Sequence, residues 1–226
     1  MKENLHLAMI MDGNRRWAVK NGLPKLEGHK KGAENLRNVI KWCEQLKVRA
    51  LTLYAMSTEN FNRTEIEKQA LFMLFKKCFK EILESDEVKE KKIKIKFLGN
   101  LSMFPKDLQE LMNQVEKVTN DNDGFRLNFC MAYGGRQEIL NAVNKAIKAG
   151  KELTEEEFEN NLYMKDSPEI VIRTGGKEAM RTSNFLPWQT AYSEWFFLKT
   201  YWPALTKEEL VQIIDEFESR KRNFGK

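Results

Sequence analysis

The chain has few cysteines, no long apolar run and little excess charge of either sign. Its three cysteines, Cys43, Cys78 and Cys130, are far apart and form no CxxC pair, which predicts reduced core thiols in a cytosolic protein. No apolar stretch reaches the roughly 18 residues of a membrane-spanning helix. A strand-like segment follows Met1 almost at once, so neither a signal peptide nor a membrane span is expected.

Charge and composition narrow the class of protein. The net charge is +5, from 38 basic and 33 acidic residues among 226. This mild excess permits an anionic substrate without favouring nucleic acid, since RNA binding would need a continuous basic face and the charges here are interleaved. The hydrophobic content of 42% is typical of globular proteins. We find no linker, repeat or low-complexity segment, so a single domain over residues 1–226 is expected.

Apolar segments alternate between strand and helix periodicity along the chain. The predicted strands are Leu5–Met11, Ala50–Met56, a third through Ile93, Ile95 and Phe97, then Phe125–Ala132, Glu169–Arg173 and Trp195–Leu198. The third alternates with lysines, which predicts a half-exposed or edge strand. The main predicted helices are Gly32–Leu46, Glu65–Glu84, Pro105–Thr119, Arg136–Ala149 and Lys207–Arg220. This alternation predicts an α/β fold with a central, mostly parallel six-stranded sheet flanked by helices on both faces. Ligands of such sheets bind beyond the carboxyl ends of the strands.

The most informative segment is Met11–Trp17, in which an apolar strand stops at a single carboxylate, Asp12. A helix that opens after Asp-Gly-Asn presents backbone N–H groups to an anion, but Asp12 would repel that anion unless a cation lies between them. The segment therefore indicates a metal-assisted phosphate or diphosphate site. A plain turn with surface arginines remains open, and Trp17 either packs on the core or covers an apolar substrate.

Two further polar clusters follow predicted strands. Ser57–Arg63 either caps the next helix or contacts a ligand. Arg173–Ser183 places two arginines and a hydroxyl around a Gly-Gly turn, which suits a second phosphate group because arginine binds oxyanions with two N–H groups. An ordinary exposed turn is the alternative there.

Three titratable residues are harder to interpret. His29, just before the predicted helix at Gly32, either contacts a diphosphate or is structural, and neither His29 nor His6 has metal-ligand spacing. Glu194 is an isolated acid among aromatic and small residues, so it is either a buried hydrogen-bonded group or a ligand of Mg²⁺, which needs few protein carboxylates when phosphates and water complete its shell.

Taken together, these segments resemble the cis-prenyltransferases, the family of undecaprenyl and polyprenyl diphosphate synthases. The similarity runs from His6 to about Gly225, and Arg15, where many bacterial members have Gly, resembles archaeal or eukaryotic members. The matching runs are His6–Trp17, Gly28–Lys30, Leu51–Phe61, Ala132–Arg136, Ile172–Gly176 and Ser183–Glu194.

The resemblance implies a role for each candidate residue. Mg²⁺ would be held by Asp12 with the aid of Glu194, and Asn60 would be the suspected proton-transfer residue, although an amide is a poor base. The allylic diphosphate would be bound by Gly13, Asn14, Arg15, Arg16, His29 and Lys25, the last standing where the family often has Arg. Isopentenyl diphosphate would be bound by Arg173, Arg181, Thr182 and Ser183. The reacting centre would be lined by Trp17, Ser57, Thr58, Glu59, Phe61 and Arg63.

The implied enzyme condenses isopentenyl diphosphate with an allylic prenyl diphosphate to give a cis-polyprenyl diphosphate. It would be a cytoplasmic homodimer, at most peripheral to the membrane, and would deliver its product to a membrane surface. An apolar tunnel between sheet and helices would hold the growing chain. Its walls are expected from Met9, Met11, Ala55, Met56, Phe72, Phe75, Phe79, Leu127, Phe129 and Met131, although core packing explains each singly. A non-catalytic partner subunit of a heteromeric enzyme is the alternative.

Two segments depart from the family pattern. The stretch Lys177–Met180 is two residues longer than is typical, so the alignment of Arg181 depends on the following Ser183-Asn184-Phe185. Near the C-terminus, Arg222–Gly225 has Asn where an Arg-x-Gly signature usually begins. The contribution of this tail to a partner's site therefore stays open, with Arg222 as a possible substitute.

Overall fold

The computed structural model describes residues 4–150 and 152–220. Its six strands are β1 (His6–Ile10), β2 (Ala50–Ser57), β3 (Lys94–Leu98), β4 (Arg126–Tyr133), β5 (Ile170–Arg173) and β6 (Glu194–Phe197). Its eight helices are α1 (Asn14–Lys20), α2 (Lys25–Gln45), α3 (Glu65–Glu84), α4 (Asp86–Glu90), α5 (Lys106–Thr119), α6 (Gly135–Lys148), α7 (Glu155–Asn160) and α8 (Lys207–Ser219).

The strands form one sheet in the order β3-β4-β2-β1-β5-β6. Every strand pairing in the described part of the chain is parallel, so the predicted fold class is confirmed. Strand β3 lies at the edge, as the alternation of Ile95 and Phe97 with lysines predicted. Because all six strands point the same way, their carboxyl ends meet along one edge of the sheet.

Successive side chains of the buried strands point to opposite faces of the sheet. Leu7 and Met9 of β1 belong to a large core that includes side chains of α2, α3, α5 and α8. Ala8 and Ile10 pack on the other face with Cys130 and Phe185. The buried strands are therefore apolar on both faces, as expected of a parallel sheet between two layers.

The structure decides two further predictions, the state of the cysteines and the start of helix α2. Cys43 and Cys130 are fully buried and Cys78 is partly buried, and none forms a disulfide. Helix α2 begins at Lys25, directly after Pro24, and not near Gly32 as predicted. Proline has no N–H to leave unpaired at a helix start, so the turn at Pro24 opens a helix of 21 residues.

Candidate active site

Asp12 lies at the carboxyl edge of the sheet between two arginines. Strand β1 ends two residues earlier, at Ile10, which is in register with Arg173 at the end of β5. Arg173 Nη2 donates to Asp12 Oδ2 at 2.8 Å. Arg16, one helical turn after Asp12, donates through Nη2 to Oδ1 at 2.9 Å. The fold thus joins a residue of the first polar cluster to one of the last.

The arginines keep the Asp12 carboxyl ionised. Burial alone would raise the pKa of Asp12, but the hydrogen bond from Arg173 and the charge of Arg16 outweigh it and hold the pKa below its ordinary value. Arg173 is itself only 3% exposed, and its Nε is buried without a hydrogen-bond partner among the described residues. The site therefore holds a buried cation whose main counter-charge is Asp12.

The turn after Asp12 requires glycine. Gly13 has a φ of 100°, and a Cβ at this position would lie 2.6 Å from Tyr201 Cδ1. The same turn is held from the other side, where Trp202 N–H donates to the Asp12 carbonyl at 3.0 Å. Helix α1 begins at the next residue, so the predicted change from strand to helix is confirmed.

His29 lies inside α2, about one turn from its start, and lines the same cavity as Asp12. Burial and the charges of Arg63 and Arg15 lower the pKa of His29 to about 4. The imidazole is therefore neutral near pH 7 in the described structure. It can hydrogen-bond an oxyanion there but brings no positive charge of its own.

The segment Ser57–Arg63 combines capping with a place at the cavity. A short 3₁₀ helix covers Thr58–Asn62. Its capping box includes a bond from Ser57 N–H to the amide oxygen of Asn60 at 3.2 Å. Ser57, Asn60 and Arg63 also line the cavity. The two interpretations of this segment are thus compatible, because the cap fixes the direction of side chains at the end of β2.

These residues surround one end of a cavity of about 1370 Å³, larger than the usual ligand pocket of about 300–1,000 Å³. We call this end the cationic end; its positively charged lining residues are Arg15, Arg16, Lys20, Lys25, Arg63, Arg173 and Arg181. The acids nearest to them in the lining are Asp12 and Glu59. Such a charge balance favours a ligand with several negative charges.

Beyond the cationic end the cavity continues between α2, α3 and the sheet. Its lining includes α2 residues from His29 to Glu44, a stretch about 22 Å long at about 1.5 Å per residue. The apolar lining residues include Leu36, Ile40, Leu71, Leu74, Phe75, Cys78, Phe79, Ile82, Ile95, Leu127, Phe129 and Met131. The arrangement therefore suits an amphiphile with an anionic head and a long apolar tail.

Most of the predicted wall residues lie in this lining. Those that do are Met11, Ala55, Phe75, Phe79, Leu127, Phe129 and Met131. Met9, Met56 and Phe72 do not; they are buried in the main core instead. For these three residues the core-packing alternative was correct.

A family model described as "Putative undecaprenyl diphosphate synthase" matches residues 10–225 of the chain. The chain belongs to this family. It is a cis-prenyltransferase, which confirms both the resemblance drawn from the motifs and the prediction of a transferase.

Curated relatives of this cis-prenyltransferase come from archaea and bacteria. A tritrans,polycis-undecaprenyl-diphosphate synthase (geranylgeranyl-diphosphate specific) of Methanopyrus kandleri is 41% identical over 98% of this chain and 84% of its own length. An isoprenyl transferase of Prochlorococcus marinus is 44% identical over 97% of this chain and 83% of its own length. The chain thus spans most of each relative.

Solved structures show the same fold. A probable undecaprenyl diphosphate synthase from Campylobacter jejuni superposes with a TM-score of 0.85 at 34% identity, over 100% of both chains. Lavandulyl diphosphate synthase from Lavandula x intermedia, in complex with dimethylallyl diphosphate, superposes with a TM-score of 0.91 at 30% identity, over 98% of both chains. The likeness therefore includes the whole sheet and the helices around it.

Four predicted contact residues of the cis-prenyltransferase lie outside the cavity lining. Trp17 is half-buried on α1, and Thr58 bonds to the side chain of its neighbour Glu59. Phe61 packs edge-on against Phe104, with ring centroids 5.3 Å apart. The fourth residue, Thr182, is exposed. The remaining contact residues predicted from sequence line the cavity: Gly13, Asn14, Arg15, Arg16, Lys25, His29, Ser57, Glu59, Arg63, Arg173, Arg181 and Ser183.

Glu194 is not brought to Asp12 within the described chain. It begins β6 opposite Ile170, whereas the carboxyl end of β5, Arg173, is opposite Phe197. Glu194 therefore lies three residues, about 10 Å, toward the amino edge of the sheet. Its carboxylate accepts a hydrogen bond from Arg220 at 2.8 Å. The predicted pairing of Asp12 with Glu194 as metal ligands is not made here, because strand direction separates them.

Sequence reasoning missed three residues at the cationic end. Asn184 and Tyr201 line the cavity, and Arg16 lies over the Tyr201 ring at 5.6 Å. Glu178, in the lengthened segment before Arg181, accepts a bond from Arg16 Nη1 at 3.0 Å. Asn184 was inside a quoted motif, but no sequence signal indicated that Tyr201 or Glu178 would fold back onto α1.

The donor atoms around Asp12 decide whether the implied Mg²⁺ can bind there. No cluster of three His, Cys, Asp or Glu side chains suited to a metal occurs in residues 4–150 and 152–220. Asp12 accepts one arginine bond on each oxygen and retains further lone pairs. A Mg²⁺ ion fits this donor set when diphosphate oxygens and water complete its coordination.

Two remaining predictions concern other parts of the chain. Across the described ranges, no helix is both long and apolar enough to cross a lipid bilayer. The tail at Arg222–Gly225 lies outside the described residues.

Proposed function

We propose that this cis-prenyltransferase condenses isopentenyl diphosphate with an allylic prenyl diphosphate and that each addition creates a cis double bond. One observation carries the proposal: a single cavity has basic side chains with Asp12 and Glu59 at one end and mostly aromatic and aliphatic side chains along the rest. The charged exceptions along the rest are Arg37, Lys41, Glu44, Glu81 and Glu87. A prenyl diphosphate has an anionic head that matches the first part of the cavity and an apolar tail that matches the second.

The allylic diphosphate is assigned to the side of the cationic end formed by α1 and α2. Arg15, Arg16, Lys25 and His29 line the cavity there. When the C–O bond of the allylic substrate breaks, its electron pair leaves with the diphosphate. Fixed positive charges stabilise this leaving group more than they stabilise the intact ester, and therefore lower the barrier.

Isopentenyl diphosphate is assigned to the β5 side. Arg173 Nη1 already contacts Ser183 Oγ at 2.6 Å, and Arg181 lines the cavity nearby. The double bond of isopentenyl diphosphate supplies the electron pair of the new C–C bond. Loss of a proton from the resulting cation gives the new alkene.

The proton acceptor is assigned to a diphosphate oxygen. Asn60 is a poor base because a neutral amide holds protons weakly, and its oxygen already accepts the Ser57 N–H at 3.2 Å. We assign Asn60 to positioning at the end of β2. The released diphosphate then leaves with the proton that the condensation frees.

Asp12 would hold Mg²⁺ together with diphosphate oxygens. The ion would neutralise charge on the leaving group. Asp12 also orients Arg16 and Arg173 through one hydrogen bond each. Its carboxylate is thus proposed to fix the arginines whether or not the metal is present.

The apolar part of the cavity is proposed as the tunnel for the growing chain. Its aromatic walls exclude water from the tail, and burial of each methylene in such a site stabilises binding by about 0.8 kcal/mol. Relatives whose names specify geranylgeranyl diphosphate support a long allylic primer. The family resemblance also supports a cytoplasmic homodimer that releases its product to a membrane surface, and sedimentation of an active monomer would contradict the dimer.

The test is incorporation of labelled isopentenyl diphosphate by the purified chain alone. Primers with two, three and four prenyl units are compared with Mg²⁺ and with a chelator. We expect Mg²⁺-dependent elongation, fastest with the longest primer, and NMR of the product showing cis geometry for the added units. A folded chain that incorporates nothing would exclude this function and would favour a non-catalytic partner subunit.

A further inference from the structure

The segment Gly175–Ser183, which we call the glycine loop, connects the end of β5 to the cavity. Gly175 and Gly176 have φ values of 123° and 83°, so the loop leaves the strand through two residues in a conformation that favours glycine. A Cβ on Gly175 would lie 3.0 Å from both Arg16 Nη2 and Asp12 Cβ. The loop therefore packs directly against the pair that begins the site.

The glycine loop supplies oxygen atoms to both arginines of that site. Glu178 Oε2 accepts a bond from Arg16 Nη1 at 3.0 Å. Arg173 Nη1 donates to Ser183 Oγ at 2.6 Å and to the carbonyl of Arg181. Substrate oxyanions bind arginine through the same N–H groups. The loop thus meets the donors that a diphosphate needs.

Glu178 differs from Asp12, the other acid on Arg16. The Glu178 side chain is 75% exposed, whereas that of Asp12 is 28% exposed and is also held by Arg173. An exposed ion pair contributes only about 0–1 kcal/mol. The Glu178–Arg16 contact is therefore the one that an incoming anion can displace, while the Asp12–Arg16 contact remains.

The backbone of Glu178 also contacts the second substrate's side of the site, through Arg181. Arg181 Nη1 donates to the backbone carbonyl of Glu178 at 2.9 Å. The Glu178 carboxylate can therefore leave Arg16 by rotation of its side chain while its backbone carbonyl keeps the contact with Arg181. Arg16 and Arg181 both line the cationic end, and the proposed function assigns them to different substrates.

We propose that Glu178 is a positioning residue that occupies Arg16 in the free protein, and that an incoming diphosphate replaces its carboxylate on Arg16. This inference rests on the proposed function for the identity of the two ligands. It assigns to the lengthened segment a carboxylate that competes with the substrate for Arg16.

The first experiment measures binding of inorganic pyrophosphate by calorimetry, without turnover. Glu178→Gln removes the competing charge at an exposed position, so we expect pyrophosphate to bind about two- to fivefold more tightly than to the wild type. The difference shrinks as salt is raised, because exposed charges are screened. Glu156→Gln, at an exposed position on α7 outside the cavity lining, is the matched control and leaves affinity unchanged.

A second comparison shows whether the effect passes through Arg16. In an Arg16→Gln background, Glu178→Gln no longer tightens binding, since the pair is already broken. In steady-state assays Glu178→Gln lowers KM for the allylic substrate by a similar factor and changes kcat less. A merely structural role for Glu178 would not produce this split.

Equal, weaker or absent pyrophosphate binding by Glu178→Gln overturns the inference. Tightening that persists in the Arg16→Gln background overturns it as well. The proposed function fails independently, through absence of isopentenyl incorporation by the wild type. Tighter pyrophosphate binding by Glu178→Gln would then still support the contact with Arg16.

Discussion

Replacement of Asp12 by asparagine should cost stability as well as activity, and the size of the stability loss follows from the geometry. Asp12→Asn keeps the shape of the side chain but removes the charge opposite Arg173, which is 3% exposed. Breaking a fully buried ion pair costs about 3–5 kcal/mol, and a charged hydrogen bond is worth about 1.5–3 kcal/mol. Because the Asp12 side chain is 28% exposed, we expect a loss of about 2 kcal/mol.

The loss should depend on pH. The pKa of Asp12 is lowered in the folded protein, so its contribution is present above the carboxyl pKa of the unfolded chain and is lost as pH falls through the folded value. The wild type and Asp12→Asn should therefore differ at neutral pH and converge in acid.

The assay is urea unfolding of both proteins across that pH range. Asp107→Asn is the control, because Asp107 pairs with Lys76 at an exposed position, and should change stability by less than about 0.5 kcal/mol. An Asp12→Asn protein as stable as the wild type at neutral pH would refute the claim that Asp12 compensates Arg173. Any loss of activity in Asp12→Asn would then be due to the catalytic step and not to lower stability.

Three further predictions use other parts of the molecule. Asp166→Asn removes the acceptor shared by Arg49 and Arg126 and should cost about 1–3 kcal/mol in urea unfolding at neutral pH. Burial raises the pKa of Asp166, but hydrogen bonds from His6 and Arg49 outweigh it and lower the pKa, so the loss should vanish in acid, and a pH-independent loss would count against it. NMR should place the midpoint of His29 near the value of about 4 set by burial and the charges of Arg63 and Arg15, whereas titration near 6.5 would show a solvated ring. A small thiol reagent should label Cys78 in the cavity wall more slowly when a long prenyl diphosphate is bound, and equal labelling would exclude the tail from this cavity.

The sequence was sufficient for the sheet and for most of the site because both depend on local patterns. Apolar runs with the period of a strand located all six strands, and a parallel sheet gathers polar residues at its carboxyl edge. This placed Asp12 and Arg173 together although 161 positions separate them. Motif similarity then supplied the roles that periodicity alone does not give.

Three side-chain positions were not predictable from sequence, for a shared physical reason. Glu194 was grouped with Asp12 by motif, but strand direction places it toward the amino edge. Phe61 was expected at the reacting centre, yet its ring packs on Phe104. Glu178 was passed over, although it folds onto Arg16 from a distant loop. Each outcome depends on where a side chain points after tertiary packing, which sequence spacing does not specify.

The sequence also does not show whether a buried apolar residue packs in the core or lines the cavity. Met9 and Phe79 are both buried apolar residues, but only Phe79 faces the space between α2 and α3. A cavity is defined by the absence of packing on one side of a residue. That absence is a property of several elements together and leaves no signal in the local sequence.

The most direct test of the account is the yield and geometry of product from the purified wild type and Asp12→Asn, with labelled isopentenyl diphosphate, a long allylic primer and Mg²⁺. Both are assayed at a urea-free, neutral pH where circular dichroism shows that both are folded. The account predicts cis-elongated prenyl diphosphate from the wild type and a loss of more than about 100-fold in Asp12→Asn. Undiminished elongation by folded Asp12→Asn would contradict it.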